Sequence, residues 1–329
     1  MSDNRIIELL RTLNRPPVIP LMGYPGIQLT GSTIKQNEFN YGLQFWTIYE
    51  LVERFEPDGI FFLMDLSLEA NALGLPVRYP LAESATVEYH LVRETGDLKQ
   101  FMALDPLKDG RIMAFLETMR LMSRSLDILK GAYVIGPFTL AGLLIGANDI
   151  ALMTLSDPQT VLGVLEFCLG TISRYAQALQ EAGCDMIAIL EPTGVMLSPP
   201  AFWEFSGQFI ARLISRLTAV PILHICGHSQ HLLRQMLRTG AQGLSLDSVV
   251  DFAALMPAIP PEVCLIGNLD PVGVLLRGSP DIVRRETTSL LESMRPFRNF
   301  VLSTGCDLPA ETPLDHIEQM VRTGKNWHY

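Results

Sequence analysis

The sequence predicts an α/β fold, a (β/α)8 TIM barrel with an inserted β-hairpin after the second strand, and three observations predict it. Eight short apolar runs rich in β-branched residues recur along 329 residues. Stretches with helical period separate most of them. No linker-like or low-complexity tract divides the chain, so residues 1–329 read as a single domain. With 48% hydrophobic residues, 22 Pro and 25 Gly, the composition excludes a disordered, collagenous or coiled-coil protein.

The expected strands, in order, are Val18-Met22, Gly59-Met64, Ala132-Gly136, Asp185-Leu190, Pro221-Ile225, Gln242-Leu246, Glu262-Ile266 and Asn299-Ser303. Cap residues just before a proline mark helix starts at Asp157-Pro158, Ser198-Pro199, Ser279-Pro280 and Thr312-Pro313. Between Gln159 and Gln180, Val161, Leu162, Leu165, Cys168, Leu169, Ile172, Tyr175, Ala176 and Leu179 repeat along one helical face, which makes Cys168 a core residue. The interval from Asn71 to Lys130 exceeds one βα unit. Its alternating Ala85-Val92 portion suggests the inserted hairpin, and a helix is expected from about Leu107 to Leu129. Eight βα repeats in this length favour a closed barrel over an open doubly wound sheet.

Twenty-five Lys and Arg against 35 Asp and Glu give a formal net charge of −10, the wrong sign for general attraction to nucleic acid or anionic lipid. The N-terminal stretch mixes charged and apolar residues without the apolar run of a secretory signal, so a cytoplasmic protein is expected. The charge-free stretch Gly131 to Asn148 is interrupted by glycines and Pro137 and reads as strand, turn and helix start, with no membrane span. An odd number of cysteines, five, points to thiols or metal-bound thiolates before disulfides.

His224 and Cys226 lie two residues apart at the end of one expected strand, where side chains at i and i+2 project to the same side. An imidazole and a thiolate there can grip one ion. Cys306 follows the last strand and Asp247 closes the strand ending at Leu246. In a barrel all strand C-termini share one rim, so these residues can meet despite their separation. One imidazole, two thiolates and one carboxylate suit tetrahedral Zn²⁺, the carboxylate being the ligand a substrate thiolate or phenolate most readily displaces. With neutral His224 and two thiolates the centre is formally neutral, so exchanging Asp247 for an incoming anion keeps the charge nearly balanced.

His228, in the turn after this pair, is a candidate proton donor or ligand orienter, against a reading as a solvated cap. Asp65 and Glu69 stand at or just past the second strand and Glu191 just before Pro192, where rim carboxylates act on substrates or brace turns. Asn268 and Asp270 can shape the cavity. Cys184 and Cys264 read as buried hydrophobes, and His231, His316 and His328 as surface residues.

These segments resemble the uroporphyrinogen decarboxylase superfamily, and within it the zinc-containing methyltransferases that depend on a corrinoid protein. The resemblance covers nearly the whole chain. It rests on the stretch from Met64 to Gly74, on Gly136-Pro137-Phe138-Thr139-Leu140-Ala141, on Ala182-Gly183-Cys184-Asp185 with Glu191-Pro192, on His224-Ile225-Cys226-Gly227, on Gly267-Asn268-Leu269-Asp270-Pro271, and on Gly305-Cys306 with Thr312-Pro313. It implies zinc ligands His224, Cys226 and Cys306, with an acidic residue near Asp247 as the replaceable fourth.

The decarboxylase branch pairs porphyrinogen carboxylates with arginines after the first strand, but Leu21 to Ile27 holds no cation, and the resemblance sets Cys306 where that branch has a histidine. Only Asp65 is retained. The Asp-x-His-x-x-Gly segment of corrinoid carriers is absent, so cobalamin must arrive on a partner corrinoid protein. The resemblance therefore implies methyl transfer between a small substrate and that partner. An aryl methyl ether is the expected methyl donor, as in O-demethylases, because Tyr24, Phe61, Phe62, Phe138 and Met196 offer apolar surface near the rim, with Tyr24, Phe138, Glu69 and Asn268 as candidate substrate contacts. A methylcobalamin:thiol transferase of the coenzyme M type is the alternative; its sulfonate would want a cation that the strand-end segments do not show. More distant readings are a folate-dependent thiol methyltransferase without cobalamin, a porphyrinogen decarboxylase, and a binding module with structural zinc. The oligomeric state is open, a homodimer included.

Overall fold

The computed structural model describes residues 5–329; residues 1–4, which open the charged N-terminal stretch, lie outside them. Seven strands form one parallel sheet whose spatial order is the chain order: β1 (Gly59–Phe61), β2 (Leu129–Ile135), β3 (Met186–Leu190), β4 (Val220–Ile225), β5 (Gly243–Leu246), β6 (Cys264–Leu269) and β7 (Phe300–Thr304). Helices connect successive strands on the outside, the parallel βα pattern expected. Every residue of β3, β4, β6 and β7 is buried, as strands covered on both faces require. Each Ile or Leu placed there contributes roughly 1.5–3 kcal/mol of burial.

The first expected strand, Val18-Met22, is reduced to a single parallel bridge between Val18 and Leu302. Pro16, Pro17 and Pro20 surround it and carry no N–H for a ladder, which explains its brevity. Its backbone still touches both edges of the sheet. Ile19 N–H donates to the Leu302 carbonyl and Asp58 N–H to the Val18 carbonyl, each at 2.9 Å, which closes the cylinder.

Between β1 and β2 the chain inserts a short helix (Leu68–Ala72), an antiparallel pair of two-residue strands (Val77–Arg78 with Thr86–Val87) and a helix (Gly110–Ser125). That helix is shorter than the span expected from 107 to 129. It starts where the Asp109 carboxylate accepts from the Arg111 and Ile112 amides, and it ends before Leu129 enters β2.

Asp157, Ser198 and Ser279 cap their helices as expected. Thr312 does not; the last helix begins at Leu314, with Pro313 in the cap position. On the helix Pro158–Glu181, Val164 takes a buried place on the apolar face and Leu162 is half-buried. Cys168 is fully buried, whereas His316, expected on the surface, is buried with Nδ1 2.8 Å from the Leu275 carbonyl.

Among the described residues no single helix is long and apolar enough to cross a membrane. The stretch Gly131 to Asn148 divides into β2, the helix Pro137–Ile145 and the start of the helix Ala147–Ser156, the two helices bending by 102°.

Candidate metal centre

His224 leaves β4 pointing into the barrel mouth, and Cys226 follows one residue beyond the strand. Gly227 then reverses the chain at φ +77°, a conformation that favours glycine. Cys306 approaches from the end of β7 because Gly305 packs against the loop after β5: a Cβ on it would stand 2.4 Å from the Ser248 nitrogen. The result is a triangle of donors. His224 Nε2 lies 3.0 Å from Cys226 Sγ and 3.9 Å from Cys306 Sγ, and the sulfurs are 3.5 Å apart.

Among the described residues these three form the group whose donor atoms converge within 4.8 Å of one another. One imidazole and two sulfurs fit a soft divalent ion in tetrahedral geometry. Ser245, directly opposite His224 across β4 and β5, lies 2.9 Å from Nδ1. With Nδ1–H donating to that hydroxyl, the lone pair on Nε2 faces the sulfurs. Without metal, the Cys226 thiol hydrogen-bonds to Cys306, which holds Cys306 well below the usual thiol range and raises Cys226.

Asp247, expected as the fourth ligand, is not in the converging group. Its Oδ2 accepts from the Gly227 amide at 2.8 Å, and its Oδ1 accepts from Ser248 Oγ and the Val249 amide at 3.2 Å each. It braces the turn that carries Cys226. Asn268, expected as a substrate contact, in turn braces Asp247: its Nδ2 donates to the Asp247 carbonyl at 3.0 Å and the Val250 carbonyl at 2.7 Å.

The structure also corrects other expected roles. Glu191 is fully buried and saturated: its oxygens accept from the Phe138 and Thr139 amides and from the Thr139 and Ser206 hydroxyls. It clamps the start of the helix Pro137–Ile145 to the end of β3, with burial pushing its carboxyl upward, and has no lone pair to spare for chemistry. Phe138 is wholly buried in that packing and cannot touch a substrate. Glu69 is buried and accepts from the Ile135 amide at 2.9 Å, burial raising it to about 7. Asp65 accepts from the Ser67 amide and hydroxyl and pairs with the buried Arg111 guanidinium. His228 is exposed beside the trio's turn, where its carbonyl accepts from His231. Tyr24 is 7% exposed and donates its hydroxyl to the Met64 carbonyl.

Arg111, Asp307, Tyr133 and Ser245, which stand beside expected site residues in the fold, were not singled out by the sequence. Arg111 reads in sequence as an ordinary helix-start cation. In the fold it is 2% exposed, 3.7 Å from Glu38 and over the rings of Phe39 and Tyr79 at 5.5 and 4.9 Å. Asp307 follows Cys306 directly, the one signal that could have marked it. Both of its oxygens are buried, and neither makes a hydrogen bond of good geometry, although the Gly23 and Leu308 amides lie near. Burial, then the neighbouring Cys306 thiolate, raises its carboxyl well above the usual range. Tyr133 stacks on Phe61 at 4.9 Å, and Asp307 and Cys306 both act on it electrostatically.

Comparison with known proteins gives the same picture at the level of family. The family profile described as uroporphyrinogen decarboxylase (URO-D) matches residues 4–327. The chain is 28% identical over 275 residues to the methylcobamide:CoM methyltransferase MtbA of Methanosarcina acetivorans, covering 80% of this chain and 78% of that protein. It is 24% identical over 286 residues to the uroporphyrinogen decarboxylase of Hydrogenovibrio crunogenus, covering 82% and 79%. A solved structure of a methyltransferase from Methanosarcina mazei superposes with a TM-score of 0.88 at 23% identity, covering 97% of this chain and 96% of that one, which bears on the fold alone.

Proposed function

The chain belongs to the uroporphyrinogen decarboxylase (URO-D) family, and from that premise we propose that it is a zinc-dependent methyltransferase moving a methyl group between a corrinoid protein and a small thiol. The observation that carries the reading is the triangle of His224, Cys226 and Cys306 at the barrel mouth. The activity for which the methylcobamide:CoM methyltransferase relatives are named supports it. Three converging donors leave a tetrahedral ion one position for a small ligand.

When bound, Zn²⁺ supplies the Lewis acidity that keeps a thiol deprotonated at neutral pH. The chain's own residues prepare that position. Ser245 fixes the His224 tautomer, and Asp247 and Asn268 hold the turn of Cys226. Below the trio, Ile19, Leu21, Phe61, Ile222 and Ile266 line the apolar barrel interior, so a reactant approaches from the mouth. Cys226 and Cys306 are half-buried and reachable from there. His228, exposed at the rim, is positioned to exchange a proton with solvent. The cobamide comes on a partner protein, and the chain contributes the surface that receives it.

The aryl methyl ether expected from the sequence has less support than the thiol: of the side chains that suggested it, Met196 is exposed, but three phenylalanines are not. Phe62 and Phe138 are buried at 1% and 0% exposure and pack the fold, and Phe61, 4% exposed, faces the closed interior below the trio. The test is a methyl-transfer assay with metal-loaded protein. Loss of methylcobalamin absorbance should require a small thiol and stop on chelation. Transfer from a methoxyarene to Co(I) at a higher rate, or from a folate without cobamide, would overturn the reading.

A further inference from the structure

Cys226 and Cys306 are 80 residues apart in the chain, yet their sulfurs stand 3.5 Å from each other. Two thiolates on a tetrahedral zinc ion, each at about 2.3 Å, would be held about 3.8 Å apart. The chain therefore sets its sulfurs no farther from each other than such an ion would, and within reach of each other once no ion parts them. The fold itself positions both turns. Gly227 reverses the chain behind Cys226 with its amide donating to Asp247 at 2.8 Å, and Gly305 seats Cys306 against Ser248.

Access singles out the same pair. Cys226 and Cys306 are half-buried at the mouth, whereas Cys168, Cys184 and Cys264 are buried. A small oxidant entering the mouth meets these two sulfurs and no other thiol.

We propose that the pair is an oxidative modification site: a hydroperoxide joins Cys226 and Cys306 in an intramolecular disulfide, which takes away two of the three metal donors and releases the ion. The release rests on the zinc reading of the proposed function; the joining of the sulfurs rests on their geometry alone. One sulfur breaks the O–O bond and becomes a sulfenic acid as the other oxygen leaves as water. The second sulfur displaces that hydroxyl as a second water, forming the S–S bond. Two thiols and one hydrogen peroxide thus give one disulfide and two waters, the sulfurs losing the two electrons that the peroxide gains. From two metal-bound thiolates, solvent supplies the two protons and Zn²⁺ departs. The sulfurs must close by about 1.5 Å, within the reach of side-chain rotation at the rim.

The test treats apo and zinc-loaded protein with hydrogen peroxide in deoxygenated buffer. Each should lose two of its five thiols and about 2 Da of mass, with a proteolytic map joining the peptide of Cys226 to that of Cys306. A chromophoric chelator should read one zinc released per crosslink, and the apo protein should crosslink about tenfold or more faster, because no metal has to leave. Dithiothreitol should restore the thiols and zinc binding. Cys306→Ser should give oxygen adducts on Cys226 and no crosslink. Sulfinic acid in place of the crosslink, a disulfide between chains, or zinc retained by the crosslinked protein overturns the proposal. Failure to load zinc at all would overturn the proposed function, and the apo protein's crosslinking would still decide for or against the disulfide.

Discussion

Ser245 Oγ lies 2.9 Å from His224 Nδ1, across a register that sets the two residues directly opposite on β4 and β5. The serine adds nothing to the donor set, but as an acceptor for Nδ1–H it favours the tautomer in which Nε2, the nitrogen beside Cys226 Sγ, carries the lone pair. A hydroxyl that accepts from Nδ1–H leaves Nε2 unprotonated for a metal. Ser245→Ala should therefore weaken zinc binding by about tenfold or more while the fold is kept. Competition with a chromophoric chelator measures it, and unchanged affinity would remove Ser245 from the assembly of the centre.

Cys306→Ala should lower zinc content sharply and abolish methyl transfer with little change in thermal stability. The thiol stands on the rim, half-buried, and contributes no core packing. Full zinc occupancy with undiminished turnover would show that the trio is not the metal centre.

Asp247→Ala should leave zinc near stoichiometric, because its carboxylate binds the Gly227 amide and does not join the trio. Its expected effect is a looser turn at Cys226, seen as faster metal release to a chelator. Complete metal loss would make Asp247 a fixed ligand.

Glu191→Ala should cost about 2–4 kcal/mol of stability, since it leaves the Phe138 and Thr139 amides and two hydroxyls without their acceptor in a dry interior. Denaturant unfolding of the apo forms reads the difference. A loss below 1 kcal/mol would mean that the helix start holds without the clamp.

Stability should also depend on Glu69 through pH. Its carboxyl is raised from 4.5 to about 7 by burial, so the folded state holds its proton where the unfolded chain releases it. That contribution is complete below pH about 4.5 and is lost as pH rises toward 7 and beyond, on the order of 3 kcal/mol at most. Glu69→Gln should flatten the unfolding free energy over that window. An unchanged slope would mean that Glu69 ionises normally inside the fold.

Much of the fold was legible because a parallel sheet buried on both faces writes itself as apolar runs. The start of β3, which follows Asp185, and that of β4 beside Pro221 fell within a residue or so of expectation. The proline-flanked first strand was not, since apolarity at Val18 and Ile19 says nothing of the missing N–H groups around them. The metal trio was legible because His224 and Cys226 share one strand end and Cys306 shares the rim. Glu191, Phe138 and Asn268 were misjudged for one physical reason. Position at a rim is visible in a sequence, whereas the donors that saturate a side chain come from other strands and loops. Arg111 and Asp307 escaped for the same reason, as only the folded chain shows which ionisable side chains are buried and what they meet.

The single bridge at Val18 has a consequence for how the cylinder comes apart. Its join depends on a few backbone contacts and on Asp58, whose carboxylate holds the Val18 amide at 2.7 Å and Arg15 at 2.6 Å. That seam is the stave first to loosen: amide exchange should begin at residues 18 and 19 and quicken with ionic strength, while the barrel wall opposite stays protected.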